Sequence, residues 1–514
     1  MIKNHETIII IDFGSQFTQL ITRRIREANV YSEIHPHNVD PERFKNTNLK
    51  GIILSGGPMS VYDAMATTLN SSLLDFNVPV LGICYGLQLL CLNYGGKVEA
   101  ASNREYGKAN LHLVNRKNLF KNICDDSIVW MSHGDYITKL PDNFEVIGES
   151  ANTPNCAIAN KEKNIYGVQF HPEVAHTEEG SKIIHNFLFD ICKCNGDWTS
   201  KNFVEEQVKN IRNMVDDAKA ICALSGGVDS TVAAALVEKA IGNNLISIHI
   251  DTGLMRKNES ADIKKLFDEK LKFNHIYIDA SERFLSSLKG ISDPEQKRRI
   301  IGKTFIEIFE EEAGKIDNAK FLVQGTLYPD VIESSSFGGS SVTIKTHHNV
   351  GGLPERMNLK LIEPFKDLFK DEVRNVGREL DISEEFILRH PFPGPGLAVR
   401  VLGEISKQKL DILREADDIF ITAIREANLY NEIWQAFAVL LPINSVGVMG
   451  DARTYENVLA LRAITSIDGM TANWFSFDPG FLADVSNKII NKVKGINRVV
   501  YDISSKPPAT IEWE

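Results

Sequence analysis

The stretch V-L-G-I-C-Y-G-L-Q, Val80–Gln88, decides the reading of the N-terminal part of the chain. An apolar run ends in a cysteine with Gly82 and Gly86 on either side. A cysteine after an apolar run is most often a small buried hydrophobe. The G-x-C-x-G layout instead suits a sharp strand-to-helix turn, where small flanking residues let the backbone reverse and lift the side chain outward. A helix beginning at Tyr85 places its N-terminus beside the sulfur, which favours thiolate and offers N–H groups to an oxyanion.

Similar apolar runs flank this one: TIIIID (Thr7–Asp12), GIILSGGP (Gly51–Pro58) and IYGVQFHPE (Ile165–Glu173). Continuous apolar strands alternating with helices predict a parallel sheet, with functional groups at the strand C-termini. A nucleophilic cysteine needs a base and a group to orient it. His171 and Glu173 fit those roles, and the SGGP loop offers backbone N–H groups for an oxyanion hole.

The chain has 514 residues, too many for one core, and three domains are expected. Their expected bounds are 1–195, 196–389 and 390–514, with a polar linker at NGDWTSKNF (Asn195–Phe203). The second domain repeats the strand–loop–helix pattern in AKAICALSGGVDSTVAAALVEKAIG (Ala218–Gly242). The third opens at the Pro/Gly-rich HPFPGPGLAVR (His390–Arg400), continues into a helix from about Ile405 to Leu429, and ends in KPPATIEWE.

A net charge of −11 disfavours nucleic acid and anionic membranes as partners. Seven cysteines, all between Cys84 and Cys222, make no disulfide framework and suit a reducing compartment. With neither a signal-peptide pattern nor a long apolar span, a cytoplasmic protein is expected.

SGGVDS (Ser225–Ser230) is a glycine loop between a strand and a helix, suited to phosphate. It lacks the lysine of a Walker A loop, and carries Asp229, which can hold Mg²⁺ against phosphate oxygens. Asp330 and Glu333 stand one helical turn apart, either as a functional pair or as a solvated face. Lys297, Arg298 and Arg299 form either a surface basic run or a phosphate clamp.

Residues 1 to about 194 resemble the class I glutamine amidotransferases, through ILSGGP, GICYGLQ and GVQFHPE in that order. The resemblance implies that Cys84 attacks the glutamine side-chain amide, His171 moves the proton and Glu173 orients His171. Gly57 and Tyr85 are implied to serve the oxyanion, and Gln88 the glutamine pocket. SGGVDS resembles the loop of the N-type ATP pyrophosphatases, which implies ATP binding by Ser225, Gly226, Gly227, Val228, Asp229, Ser230 and Thr231.

Over its full length the chain is similar to the single-chain, glutamine-hydrolysing GMP synthase family. KTHHNVGGLP (Lys345–Pro354), HPFPGPGLAVR and KPPATIEWE add to the shared motifs. The implied fold is two parallel-sheet α/β domains, amidotransferase and adenine-nucleotide α-hydrolase-like, followed by an α+β domain that forms a homodimer. The implied substrates are XMP, ATP with Mg²⁺, and glutamine. XMP is expected at Arg298, Gln435, Arg498, Lys506, Ile511 and Glu512, and an adenylation lid at Asp330, Glu333 and Lys345.

NAD synthetase also carries an SGGxDS loop, but its glutaminase is of a different type, without the HPE motif. RNA-thiolating enzymes of the ATP pyrophosphatase group, and an inactive nucleotide-binding regulator, fit the intact Cys84, His171, Glu173 and Asp229 less well. Read without the resemblance, KPPATIEWE is a final edge strand, with Pro507 and Pro508 suited to an edge.

Overall fold

The computed structural model describes residues 5–271, 274–335, 359–449, 452–466 and 471–514. They fall into two compact units, Met1–Asn202 and Phe203–Glu514.

The first unit holds a nine-stranded sheet: β1 Thr7–Asp12, β2 Tyr31–Pro36, β3 Leu49–Leu54, β4 Val80–Ile83, β5 Lys97–Leu113, β6 Ser127–Lys139, β7 Glu145–Glu149, β8 Ala157–Asn160 and β9 Ile165–Val168. Its order is β2-β1-β3-β4-β9-β8-β7-β5-β6. The first five are mutually parallel. Ile8, Ile9, Ile10 and Ile11 in β1 are all fully buried, each stabilising by roughly 1.5–3 kcal/mol. This is the sandwiched parallel strand expected of an unbroken apolar run.

Beyond β9 the sheet turns antiparallel, through β8, β7, β5 and β6. That half was not foreseen. In β6 buried and half-exposed residues alternate from Ser127 to Ile137, the pattern of a strand with one wet face, which an apolar-run search passes over.

The polar stretch after Asn195 is not a loose tether. Trp198 is buried, with its ring 4.6 Å from Tyr31 and 5.1 Å from His5, and the Arg26 guanidinium lies 5.7 Å above it. One buried aromatic outweighs its polar neighbours in fixing the segment.

The second unit contains a parallel five-stranded sheet of β10 Lys219–Ala223, β11 Leu245–Asp251, β12 His275–Asp279, β13 Ala319–Val323 and β14 Lys360–Ile362. Its order is β12-β11-β10-β13-β14. A smaller sheet follows. The long hairpin of β15 Gln435–Met449 and β16 Ala452–Thr465 is joined on β16 by the short antiparallel β17 Asn473–Trp474 and the parallel β18 Ile496–Tyr501.

Helices Lys407–Glu426 and Pro479–Lys492 pack with this sheet. A single apolar cluster runs from Ile221 and Ile248 through Leu397 to Phe420 and Leu459, so the nucleotide-type sheet and the C-terminal sheet share one core.

Lys506–Glu514 does not form the edge strand expected from its sequence alone. Lys506 makes one bridge to Ala472, and the rest is turn and irregular backbone held by side chains.

Candidate active site

In the first unit the parallel strands β1, β3, β4 and β9 bring their C-terminal ends to one sheet edge. The loops after β3, β4 and β9 carry SGGP, Cys84 and QFHPE. Cys84 sits between β4 and the helix Tyr85–Asn93, at φ 51° and ψ −105°. This backbone strain turns the side chain away from both elements.

The flanking glycines are sterically required. A Cβ on Gly82 would lie 2.6 Å from the Leu87 nitrogen, and one on Gly86 would lie 2.3 Å from the Leu54 carbonyl oxygen. Two hydrogen bonds fix the turn: Cys84 N–H donates to Val168 O (2.8 Å) and Gly86 N–H to Ser55 O (3.0 Å).

His171 follows β9 and Nδ1 lies 2.7 Å from Glu173 Oε1. Both side chains are buried. His171 N–H donates to Trp130 O (3.0 Å), and its carbonyl accepts from Thr177 Oγ1 (2.6 Å), which fixes the residue from behind. Burial works against a charged ring. The Glu173 carboxylate and the Cys84 sulfur outweigh it, so His171 is pushed up to about 10. The ring therefore keeps a proton at neutral pH.

Beside Cys84 lies a cavity of about 340 Å³, lined in part by Gly57, Tyr85, Gln88, Arg104, Ser132 and Asp135. Gly57 is confined: a Cβ there would press on the Phe13 carbonyl oxygen at 3.0 Å and the Tyr85 ring at 3.1 Å. Gln88 donates from Nε2 to Gln169 Oε1 (3.3 Å) and Asp135 O (3.4 Å).

Three lining or neighbouring residues escaped the sequence reading. Gln169 Nε2 lies 3.5 Å from the sulfur of Cys84. The Ser132 carbonyl is 3.8 Å from it. The Asp135 carboxylate accepts from Ser60 Oγ (2.6 Å) and Tyr62 OH (2.7 Å) at the cavity wall. Gln169 lies within the quoted IYGVQFHPE, two positions before His171, and could have been found there; Asp135 lies on the strand that was not foreseen.

In the second unit β10 runs into SGGVDS and the helix Val228–Ile241. Gly226 has φ +79°, and a Cβ there would meet Ile263 Cδ1 at 2.2 Å. Ser225 and Ser230 hydroxyls are 3.0 Å apart across the loop, and Gly227 N–H donates to Ser225 Oγ (3.3 Å).

Asp229 Oδ2 is paired with Lys370 Nζ at 2.8 Å. Among the described residues, Asp229 Oδ1 and Thr231 Oγ1 are buried and make no hydrogen bond. Two orphaned oxygens at a helix N-terminus fit a magnesium–phosphate group: a hard cation takes carboxylate oxygen, and a hydroxyl donates to phosphate. Gly325, in the loop after β13, backs onto Asp229, since a Cβ there would be 3.3 Å from its backbone.

Asp330 and Glu333 both lie on the helix Tyr328–Ser335, as expected from their spacing. Asp330 Oδ2 accepts from the Leu327 N–H (3.2 Å), so it caps the helix. Lys345 lies outside the described residues.

Of the residues expected at XMP, Gln435 and Glu512 meet directly, Nε2 to Oε1 at 2.7 Å. Arg298 Nη2 donates to the Glu514 main-chain oxygen at 2.6 Å. Ile511 packs on Phe437, Val439 and Ala460. Arg498 is exposed on β18, and Lys506 bridges Ala472. The sequence reading missed Arg400 and Arg462, both wholly buried, which hold this segment. It also missed Lys370, 141 positions from Asp229.

A strand-end Cys–His–Glu group beside a cavity, followed in the same chain by a parallel sheet with an SGGVDS loop, defines a glutamine amidotransferase joined to an adenylating nucleotide domain. The family model described as "Glutamine amidotransferase class-I" matches residues 9–191, "NAD synthase" matches 199–300, and "GMP synthase C terminal domain" matches 422–513.

The chain is 57% identical to the glutamine-hydrolysing GMP synthase of Brachyspira hyodysenteriae over 100% of both chains. It is 54% identical to that of Bacillus licheniformis, covering 99% of each. It is 56% identical to that of Rhizobium rhizogenes, again covering 99% of each. The chain belongs to the glutamine-hydrolysing GMP synthase family. It is an enzyme that forms GMP with glutamine as nitrogen donor, and the NAD synthetase alternative is not supported. None of its described helices is long and apolar enough to cross a membrane.

Proposed function

We propose that the chain works as three functional segments, 1–195, 196–389 and 390–514, which convert XMP, ATP and glutamine to GMP, AMP, pyrophosphate and glutamate. In the first segment His171 holds the proton taken from the Cys84 thiol, and the sulfur attacks the side-chain amide carbon of glutamine. Gly57 and Tyr85 N–H groups receive the oxyanion. His171 returns the proton to the departing ammonia, and water then cleaves the γ-glutamyl thioester with His171 as base. Gln88 shapes the amide end of the pocket, and the Asp135 carboxylate offers a counter-charge to the substrate ammonium.

In the second segment Ser225, Gly226, Gly227, Val228, Ser230 and Thr231 hold the phosphates of ATP. Asp229 would hold Mg²⁺, which supplies charge neutralisation on the phosphate oxygens. Lys370 adds a cation at the same loop. The O2 oxygen of XMP attacks the α-phosphorus, pyrophosphate leaves, and ammonia then displaces AMP from C2. Asp330, Glu333 and Lys345 serve the adenylation step. Arg298, Gln435, Arg498, Lys506, Ile511 and Glu512 receive XMP. The third segment forms the homodimer, and the enzyme works in the cytoplasm.

The observation that carries this reading is the His171–Glu173 pair beside Cys84, in one chain with the orphaned Asp229 and Thr231 oxygens. A substrate screen with ATP, Mg²⁺ and ammonium tests it. AMP release should require XMP; release with nicotinate adenine dinucleotide instead would overturn the choice of acceptor.

A further inference from the structure

Three wholly buried cations converge on the segment that ends in Thr510–Glu514. Arg400 grips the Glu512 carboxylate with two N–H groups, Nε to Oε2 at 3.1 Å and Nη2 to Oε1 at 2.9 Å. Arg462 donates to the carbonyls of Ser504 (3.1 Å), Thr510 (2.9 Å) and Ile511 (2.8 Å), and to the Asp502 carboxylate (2.6 Å). Both arginines belong to the C-terminal part of the unit.

The third cation comes from elsewhere. Lys297 lies on the helix Pro294–Ala313, which packs with β11 of the nucleotide-type sheet. Its ammonium donates to Ala398 O (3.2 Å) and Val401 O (2.9 Å), and its third bond goes to Glu514 Oε2. All three donors of the lysine are thus used. Gly403 N–H holds the other oxygen of that carboxylate at 3.2 Å. The next residue, Arg298, reaches the main chain of the same glutamate. Arg298 itself stays about a quarter exposed, so it also faces solvent.

A buried lysine is costly unless paired, and a purely packing role at this place is open to a methionine. The arrangement does more than fill space. Adjacent cations on one helix grasp the side chain and the main chain of one residue, two positions after Glu512 and three after Ile511.

We infer that Lys297 and Glu514 are positioning residues for XMP. Their ion pair seats the segment Thr510–Glu514 on the helix Pro294–Ala313, and so sets Arg298, Ile511 and Glu512 in one register. This rests on the reading that those three residues receive XMP. The pair acts on XMP affinity, not on the chemistry of ATP or glutamine.

The test is steady-state kinetics of AMP release by the full chain with ammonium, for Glu514→Ala, Lys297→Met, the double variant and Arg298→Ala. Glu514→Ala should raise KM for XMP about tenfold, with kcat and KM for ATP within about twofold. Lys297→Met should do the same, and the double variant should be no worse than the larger single effect. An unchanged KM for XMP in Glu514→Ala, or additive losses in the double variant, overturns the inference. Should Lys297→Met fail to fold, Glu514→Ala decides alone, because there Lys297 keeps its bonds to the Ala398 and Val401 carbonyls. If Arg298→Ala raises KM for XMP and Glu514→Ala does not, only the positioning role fails. If neither moves it, the XMP assignment falls as well.

Discussion

His171 and Glu173 are two residues apart, buried together, with Nδ1 and Oε1 at 2.7 Å. Strand β9 ends at Val168, and Pro172 and Glu173 lie in the turn that follows, where the imidazole and carboxylate meet. The rest of the glutaminase account depends on this pair.

Glu173→Gln removes the charge that keeps the ring protonated. Burial lowers the ring against its ordinary value of 6.5, and Glu173 and Cys84 raise it to about 10. The folded-state value lies above the unfolded one. The stabilisation is therefore complete below about pH 6.5, and is lost as pH rises towards 10. NMR titration should show the His171 ring protonated through neutral pH in the native chain and titrating at lower pH in the variant. The glutaminase rate should fall roughly 100-fold. An unmoved titration would remove Glu173 from its role.

Gly86→Ala tests the turn that carries Cys84. The added carbon would lie 2.3 Å from a backbone oxygen, so β3 or the helix must shift. The expected cost is about 1–3 kcal/mol, read as a lower urea midpoint for loss of glutaminase activity. A midpoint at the native value would mean that the turn adapts freely.

Asp229→Asn keeps the shape of the side chain and removes its charge. AMP release with ammonium should fall by about 100-fold or more, because the carboxylate is the group proposed to hold Mg²⁺ at the loop. Lys370→Met, which frees Asp229 Oδ2 of its partner, should raise KM for ATP with glutaminase activity intact. Assays of AMP against ATP at several Mg²⁺ concentrations separate the two.

Arg462→Met should destabilise the second unit. It removes a charged partner from the half-buried Asp502 carboxylate and from three main-chain oxygens, at a cost of about 1–3 kcal/mol. Urea unfolding followed by fluorescence of the second unit reads this directly; a midpoint unchanged from native would mean that water replaces the guanidinium.

Much of this was legible in the sequence because its signals are local. Four buried isoleucines in a row announce β1, and Gly82 and Gly86 announce the turn at Cys84. SGGVDS announces a strand-to-helix glycine loop, since strand, glycine turn and helix follow within a few residues. Other features depend on distant partners. Lys370 meets Asp229 across 141 positions, and Arg400 meets Glu512 across 112. No spacing rule brings such residues together. Asp135 was hidden because its strand alternates buried and half-exposed positions. Trp198 was hidden because its neighbours are polar.

The central claim is that one chain makes ammonia at Cys84 and consumes it at a separate adenylating site. The most direct measurement is GMP formation by Cys84→Ala with glutamine and with ammonium. The account predicts no GMP from glutamine and an ammonium-driven rate near that of the native chain. Loss of both activities in a correctly folded variant, or continued use of glutamine, would contradict it.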